Sequence, residues 1–270
     1  MKFKVFSKIR FFFLIYSVMI FSACHDSDKI EPEYGERTVL IYMAADNNLN
    51  KDGETNIKSI LKGMEQTAGR LVIYIDPRYD VPRLLTVKGG KGCRLDTLET
   101  YTEENSASPE VLARVVKEVQ KRYPASSYGL VLWSHGLGWV PPEYSFPGGY
   151  AMRLPDPDMP RTKYYAEDEH PGTTGKAYMD IREMAARLPG HFNFILWDVC
   201  FMGGIEVAYE LRNKTDYMIA SPAEVISDGF PYEKIVPLFW GGEEAMKQIC
   251  REYYNHYNKY PVNSLWRSAV

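Results

Sequence analysis

A cysteine and a histidine in this chain sit in the same local grammar. Phe194-Ile195-Leu196-Trp197 runs into Asp198, Cys200 follows two positions later, and Gly203-Gly204 precedes an amphipathic segment, Ile205 to Leu211. A short apolar run bounded by turn residues is the pattern of a strand buried on both faces. Cys200 then falls on the turn from strand to helix, where a helix N-terminus lowers a thiol pKa and favours the thiolate. Tyr128 to Trp133, followed by Ser134-His135-Gly136, repeats the pattern with His in the working position. A lone Cys is more often an inert buried thiol; the second motif changes that balance. Loops at the carboxyl ends of parallel strands share one edge of the sheet, so two such strands side by side bring His135 and Cys200 together. A thiol with an imidazole in reach performs acyl transfer through a thioester. The backbone N–H groups of Gly136 and Cys200 are placed to hold the oxyanion.

The rest of the composition narrows the chemistry. The chain has 270 residues, 45% of them hydrophobic, and a net charge of −3, which describes a globular protein with ample core. Without a basic excess, nucleic acid is not expected as a partner. The four cysteines, Cys24, Cys93, Cys200 and Cys250, match neither a zinc spacing nor a disulfide framework. The five histidines include no His-Glu-x-x-His, so no metal and no cofactor is expected. Cys93 and Cys250 read as structural.

Residues 1–23 read as a lipoprotein signal peptide. Lys2, Lys4, Lys8 and Arg10 form a basic start, and Phe11 to Phe21 is an apolar stretch too short to span a bilayer. Ser22-Ala23-Cys24 then resembles a bacterial lipobox, in which the Cys becomes the new N-terminus and carries lipid. Acyl chains there hold a protein at a membrane with about 0.8 kcal/mol per buried CH₂. Residues 24–37 are a polar, acidic tether. The expected location is the bacterial cell envelope, on the periplasmic or cell-surface side.

The folded domain is expected over 38–270. Thr38 to Met43 and Leu71 to Pro77 read as buried strands, with the polar loop Ala44 to Leu49 and a helix over Ile57 to Met64 between them. Leu84 to Val87 and Arg94 to Tyr101 form a hairpin. Ser108-Pro109-Glu110 starts a helix, Asp180 with Glu183 starts another, and Tyr217 to Ala220 is a further strand. A short helix opens at Pro231-Tyr232, and a last one runs from Glu243 to Tyr257. Strands alternating with helices imply βαβ units and a mostly parallel sheet. Residues 140–177 show no periodicity and read as a long irregular insertion bordering the site. It carries Arg153, Arg161, Lys163 and Lys176, and is expected to be cut during maturation.

Around the pair, Asp198 reads as structural first and orienting second, while Asp46 and Asn47 shape the loop floor. The loop Ser221 to Phe230 leaves the sheet on the same edge, which makes Asp228 a candidate carboxylate at the foot of a buried slot and Glu224 the next candidate. A buried carboxylate selects Arg or Lys, because pairing offsets the cost of burying either charge alone.

Tyr42-Met43-Ala44-Ala45-Asp46-Asn47-Asn48-Leu49, Trp133-Ser134-His135-Gly136, Asp198-Val199-Cys200-Phe201-Met202-Gly203 and Glu206 to Leu211 together resemble the clostripain family of cysteine peptidases, in the clan of caspases, gingipains and legumains. The resemblance implies a caspase-like α/β/α sandwich. It also implies a His135–Cys200 dyad without an essential third member, protein or peptide substrates, and the same basic preference. Members of that family continue past the point where this chain stops, so missing elements and an open sheet edge are expected. The competing expectation is a catalytically inactive lipoprotein that keeps the sandwich as a binding module.

Overall fold

The computed structural model describes residues 35–139, 164–170 and 175–260. Cys24 and the signal peptide lie outside these residues, as does most of the 140–177 insertion. No helix among the described residues is long and apolar enough to cross a membrane.

Seven strands form the main sheet: β1 (Gly35–Ala45), β2 (Arg70–Pro77), β3 (Arg83–Lys88), β4 (Asp96–Thr100), β5 (Ala125–Trp133), β9 (Phe192–Asp198) and β10 (Thr215–Ile219). Their order is β10-β9-β5-β1-β2-β3-β4. The strands from β10 to β2 pair in parallel, and β3 and β4 add the expected hairpin as an antiparallel edge. Among the described residues six α-helices accompany it: α1 (Asn50–Met64), α2 (Pro109–Arg122), α3 (Ile181–Arg187), α4 (Ile205–Leu211), α5 (Tyr232–Ile235) and α6 (Glu243–Asn258).

Alternation along the central strands sorts the side chains into two cores. Val39, Ile41 and Met43 of β1, with Phe194 and Leu196 of β9, face a core that includes Ile60 of α1 and Ile249 and Tyr253 of α6. Leu40 and Tyr42 face the other, with Ile195, Trp197, Val116 of α2, Met184 of α3 and Val207 of α4. Each such side chain, fully buried, contributes about 1.5–3 kcal/mol. This is the α/β/α sandwich that the family resemblance implies, built on the mostly parallel sheet that the strand–helix alternation implies. Helix starts follow their caps: the Ser108 side chain accepts from the N–H groups of Glu110 and Val111, and Asp180 from those of Arg182 and Glu183.

The insertion departs from expectation. Residues 164–168, read as irregular, form strand β7 (Tyr164–Asp168), which pairs antiparallel with β6 (Gly136–Gly138) and β8 (Ala177–Asp180). The β6–β7 ladder shifts register between Gly136 and Gly138, the β7–β8 ladder between Tyr165 and Glu167, and Ala166 has φ +61°. A five-residue strand with a break in its pleat leaves no period-2 signal in the sequence. This small sheet stands directly after the His135 strand. Lys176, one of the basic residues of the insertion, is tied to Glu167 at 2.6 Å and Glu169 at 2.9 Å.

Candidate active site

Strands β5 and β9 are neighbours, and their last paired positions are Trp133 and Asp198. His135 and Cys200 each lie two residues beyond, so the two motifs emerge level at one sheet edge. Both side chains line one cavity of about 190 Å³, together with Leu49, Trp133, Asp198 and Val225. Of the residues expected at the site, the cavity therefore gathers His135, Cys200 and Asp198.

The thiol is not activated as expected. Burial pushes Cys200 up to about 11; the Val225 backbone hydrogen bond pulls downward, while the charges of Glu224 and Asp198 push further up. Helix α4 begins five residues after the Cys and is one short element, and a helix end acts only over its terminal turn. Sγ donates to the Val225 carbonyl and accepts from the Val225 N–H, both at 3.3 Å. The turn carrying it is sewn to the same loop, since Phe201 N–H donates to Ala223 and Gly203 N–H to Ser221. Phe201 adopts φ +62°, a left-handed conformation that costs a non-glycine residue about 1–2 kcal/mol. The strained residue thus adjoins the thiol, and strained Ala166 donates its N–H to the His135 carbonyl at 3.1 Å.

His135 is held by a residue that sequence reasoning passed over: its Nε2 lies 2.6 Å from Asn48 Oδ1. That leaves Nδ1 as the ring nitrogen without this contact. Burial lowers the imidazole pKa, with the charge of Glu167 opposing, so the ring is neutral near pH 7. Asn48 follows directly on Asp46 and Asn47, and the polar run was the available signal. Asn47 is fully buried and donates to the carbonyls of Ala44 and Glu167 while its Oδ1 accepts from the Leu49 N–H. Asp46 instead binds His170, with Oδ1 2.7 Å from Nδ1. Asp76, the acid ending β2, is fully buried away from the cavity and is pushed up to about 9 by burial.

Gly136 pairs with Tyr165, and a Cβ there would come within 2.4 Å of Val199 and Met202. Glycine at this position lets β6 lie against the residues flanking Cys200.

The buried acid among the residues lining the cavity is Asp198. It is 5% exposed, its Oδ2 accepts from Tyr232 O–H at 2.7 Å and Phe230 N–H at 3.3 Å, and burial raises it to about 6 against those bonds. Asp228, expected in a buried slot, is exposed, as is Glu224. Asp228 lines an adjoining cavity of about 160 Å³ with Asp52 and His256, and the loop turns there at Gly229 (φ +67°), where a Cβ would lie 2.6 Å from Asp198. The outward turn puts the Asp228 side chain in solvent while its backbone stays beside Asp198.

A family model, Peptidase C11, the clostripain family, matches residues 41–268. The chain belongs to the clostripain family. It is 26% identical over 228 residues to clostripain of Hathewaya histolytica, a match covering 73% of this chain and 41% of that protein. Among solved structures it resembles a secreted C11 cysteine protease of Bacteroides thetaiotaomicron in complex with an irreversible peptide inhibitor (34% identity, TM-score 0.70, 84% of this chain and 60% of that one). It also resembles an inactive zymogen C11 protease of Parabacteroides distasonis (37% identity, TM-score 0.68, the same two shares). The chain thus spans about 40–60% of the length of these relatives.

A thiol at about 11 governs resting reactivity. Iodoacetamide labelling of Cys200 at pH 7.5 should be on the order of 100-fold slower than that of an unperturbed cysteine. It should climb about tenfold per pH unit to near pH 11. A plateau below pH 9 would show an activated thiolate and contradict this geometry.

Proposed function

We propose that this chain is the catalytic part of a cysteine endopeptidase that works through His135 and Cys200 and cleaves after Arg or Lys. The observation that carries the reading is the level emergence of both residues into one cavity that Asp198 also lines. Family membership and the inhibitor-bound relative support it. Substrate enters, the Sγ contacts with Val225 are released, and His135 takes the Sγ proton as sulfur attacks the scissile carbonyl carbon. The N–H groups of Gly136 and Cys200 hold the oxyanion. His135 then gives its proton to the leaving amine, the C–N bond breaks, and water hydrolyses the thioester with His135 as base. A neutral imidazole facing a neutral thiol suits this order, because the proton moves only when the substrate is in place.

The second reading, an inactive envelope binding module, rests on the protonated, Val225-bound thiol.

Specificity follows from Asp198, with Asp228 and then Glu224 as outer carboxylates. A guanidinium binds the ionised Asp198, so protonation near pH 6 competes with binding. For Arg peptides KM should rise below pH 6, approaching tenfold per pH unit, while Leu peptides show no such rise. Asp198→Asn should cost Arg peptides about 100-fold in kcat/KM and Asp228→Ala about fivefold. Leu or Asp peptides cleaved as fast as Arg peptides would reject the basic preference.

We also propose that Cys24 carries lipid and anchors the chain in the cell envelope. The lipobox spacing supports this, and a relative is described as secreted. Wild type expressed with lipoprotein machinery should partition into detergent and Cys24→Ser into water; both forms in water would refute it.

A further inference from the structure

Three bulky apolar side chains stand exposed beside the cleft: Trp139 at 51%, Ile205 at 77% and Tyr209 at 59%. They come from the two turns that carry the reacting groups. Trp139 ends the extension β6 that follows His135, and Ile205 opens α4 just after the Cys200 turn. The turns are in contact: a Cβ on Gly138 would lie 2.2 Å from the Phe201 carbonyl, and one on Gly204 would lie 3.8 Å from Trp139 Cδ1. Trp139 and Ile205 therefore form one shelf. Tyr209 extends it a helical turn further along α4, with Arg212 stacked on its ring at 3.8 Å.

The shelf lies across the sheet edge from the Asp198 cavity. That cavity is walled by Trp133 and Val225, which belong to the α1 and α6 side of the sheet. Helix α4 packs through Val207 and Leu211 on the opposite side. Cys200 lines that cavity, and the turn after it leads into α4. A peptide whose side chain before the scissile bond fills the Asp198 cavity must carry its following residues over the nucleophile turn toward α4. We propose that Trp139 and Ile205 form the subsite for the first residue or two after the scissile bond, and that they select bulky apolar or aromatic side chains there. This rests on the proposed roles of His135, Cys200 and Asp198. The occupant is substrate because the shelf is built on the two touching turns that follow His135 and Cys200, the residues that line the cavity. Exposed apolar area so close to a reaction centre gains burial only when the leaving-group side arrives.

The test uses quenched peptides with Arg before the scissile bond and Phe, Leu, Gly or Asp after it, beside an acyl-arginine methyl ester whose leaving group is too small to reach the shelf. Wild type should favour Phe and Leu over Gly and Asp by about tenfold in kcat/KM, roughly the effect of half-burying such a side chain. Trp139→Ala and Ile205→Ser should abolish that preference and leave methyl ester hydrolysis within twofold. Equal rates for all four peptides in wild type, or an equal loss on the ester, would overturn the subsite. Binding to Cys200→Ala, read by anisotropy of labelled peptides, tests it without turnover. There the Phe peptide should bind at least fivefold more tightly than the Gly peptide, and only while Trp139 is present; equal affinities would overturn it. A change confined to the sedimentation coefficient of Trp139→Ala would also overturn it and mark the face as a contact between copies. If the ester and the peptides are not cleaved at all but this binding difference holds, the reading of the dyad fails and the shelf stands.

Discussion

The site depends on the parallel pairing of β5 with β9. Opposing Trp133 to Asp198 puts His135 and Cys200 level; a one-residue slip would flip every following side chain to the other face. Side-chain packing fixes that register. Trp133, Phe194 and Leu196 enter one core while Leu132, Ile195 and Trp197 enter the other, so a one-residue shift buries neither set correctly. A Cβ at Gly129 would come within 2.4 Å of the Phe194 ring, which ties one pair of positions directly. Aligning the reacting groups and burying the sheet are thus satisfied by the same contacts.

Beyond the strand ends, polar contacts take over. Asn47 joins the end of β1 to β7 and to the loop carrying Asn48, and Asn48 holds His135. Asp198 is steadied by Tyr232, the loop after β10 by the Cys200 turn. Burial opposes charge on both reacting groups, lowering the imidazole and raising the thiol, and it raises Asp198 as well.

The buried strands were legible in sequence because an apolar run ending in Asp or His needs no tertiary context to interpret. The placing of His135 and Cys200 at one sheet edge followed from those runs, and the sandwich from the family resemblance. Four things were not legible. The thiol environment depends on Val225, 25 residues away in sequence, and on burial that no local pattern encodes. That Asp228 is exposed while Asp198 is buried goes with the left-handed Gly229 beside them, which no local pattern announces. Strand β7 was hidden because its pleat is broken at Ala166. Asn48 lay within a polar run read as loop floor, and only its 2.6 Å approach to His135 separates it from its neighbours.

The central claim is that a buried, protonated thiol becomes the nucleophile when a basic substrate side chain occupies the Asp198 cavity beside His135. An Arg-containing peptidyl acyloxymethyl ketone, followed by intact mass and peptide mapping, tests it most directly. The account predicts a single adduct, on Cys200, formed at least 100-fold faster than on Cys93 or Cys250 and slowed at least tenfold in His135→Ala. No adduct, or equal modification of the three cysteines, would contradict it and favour the binding module.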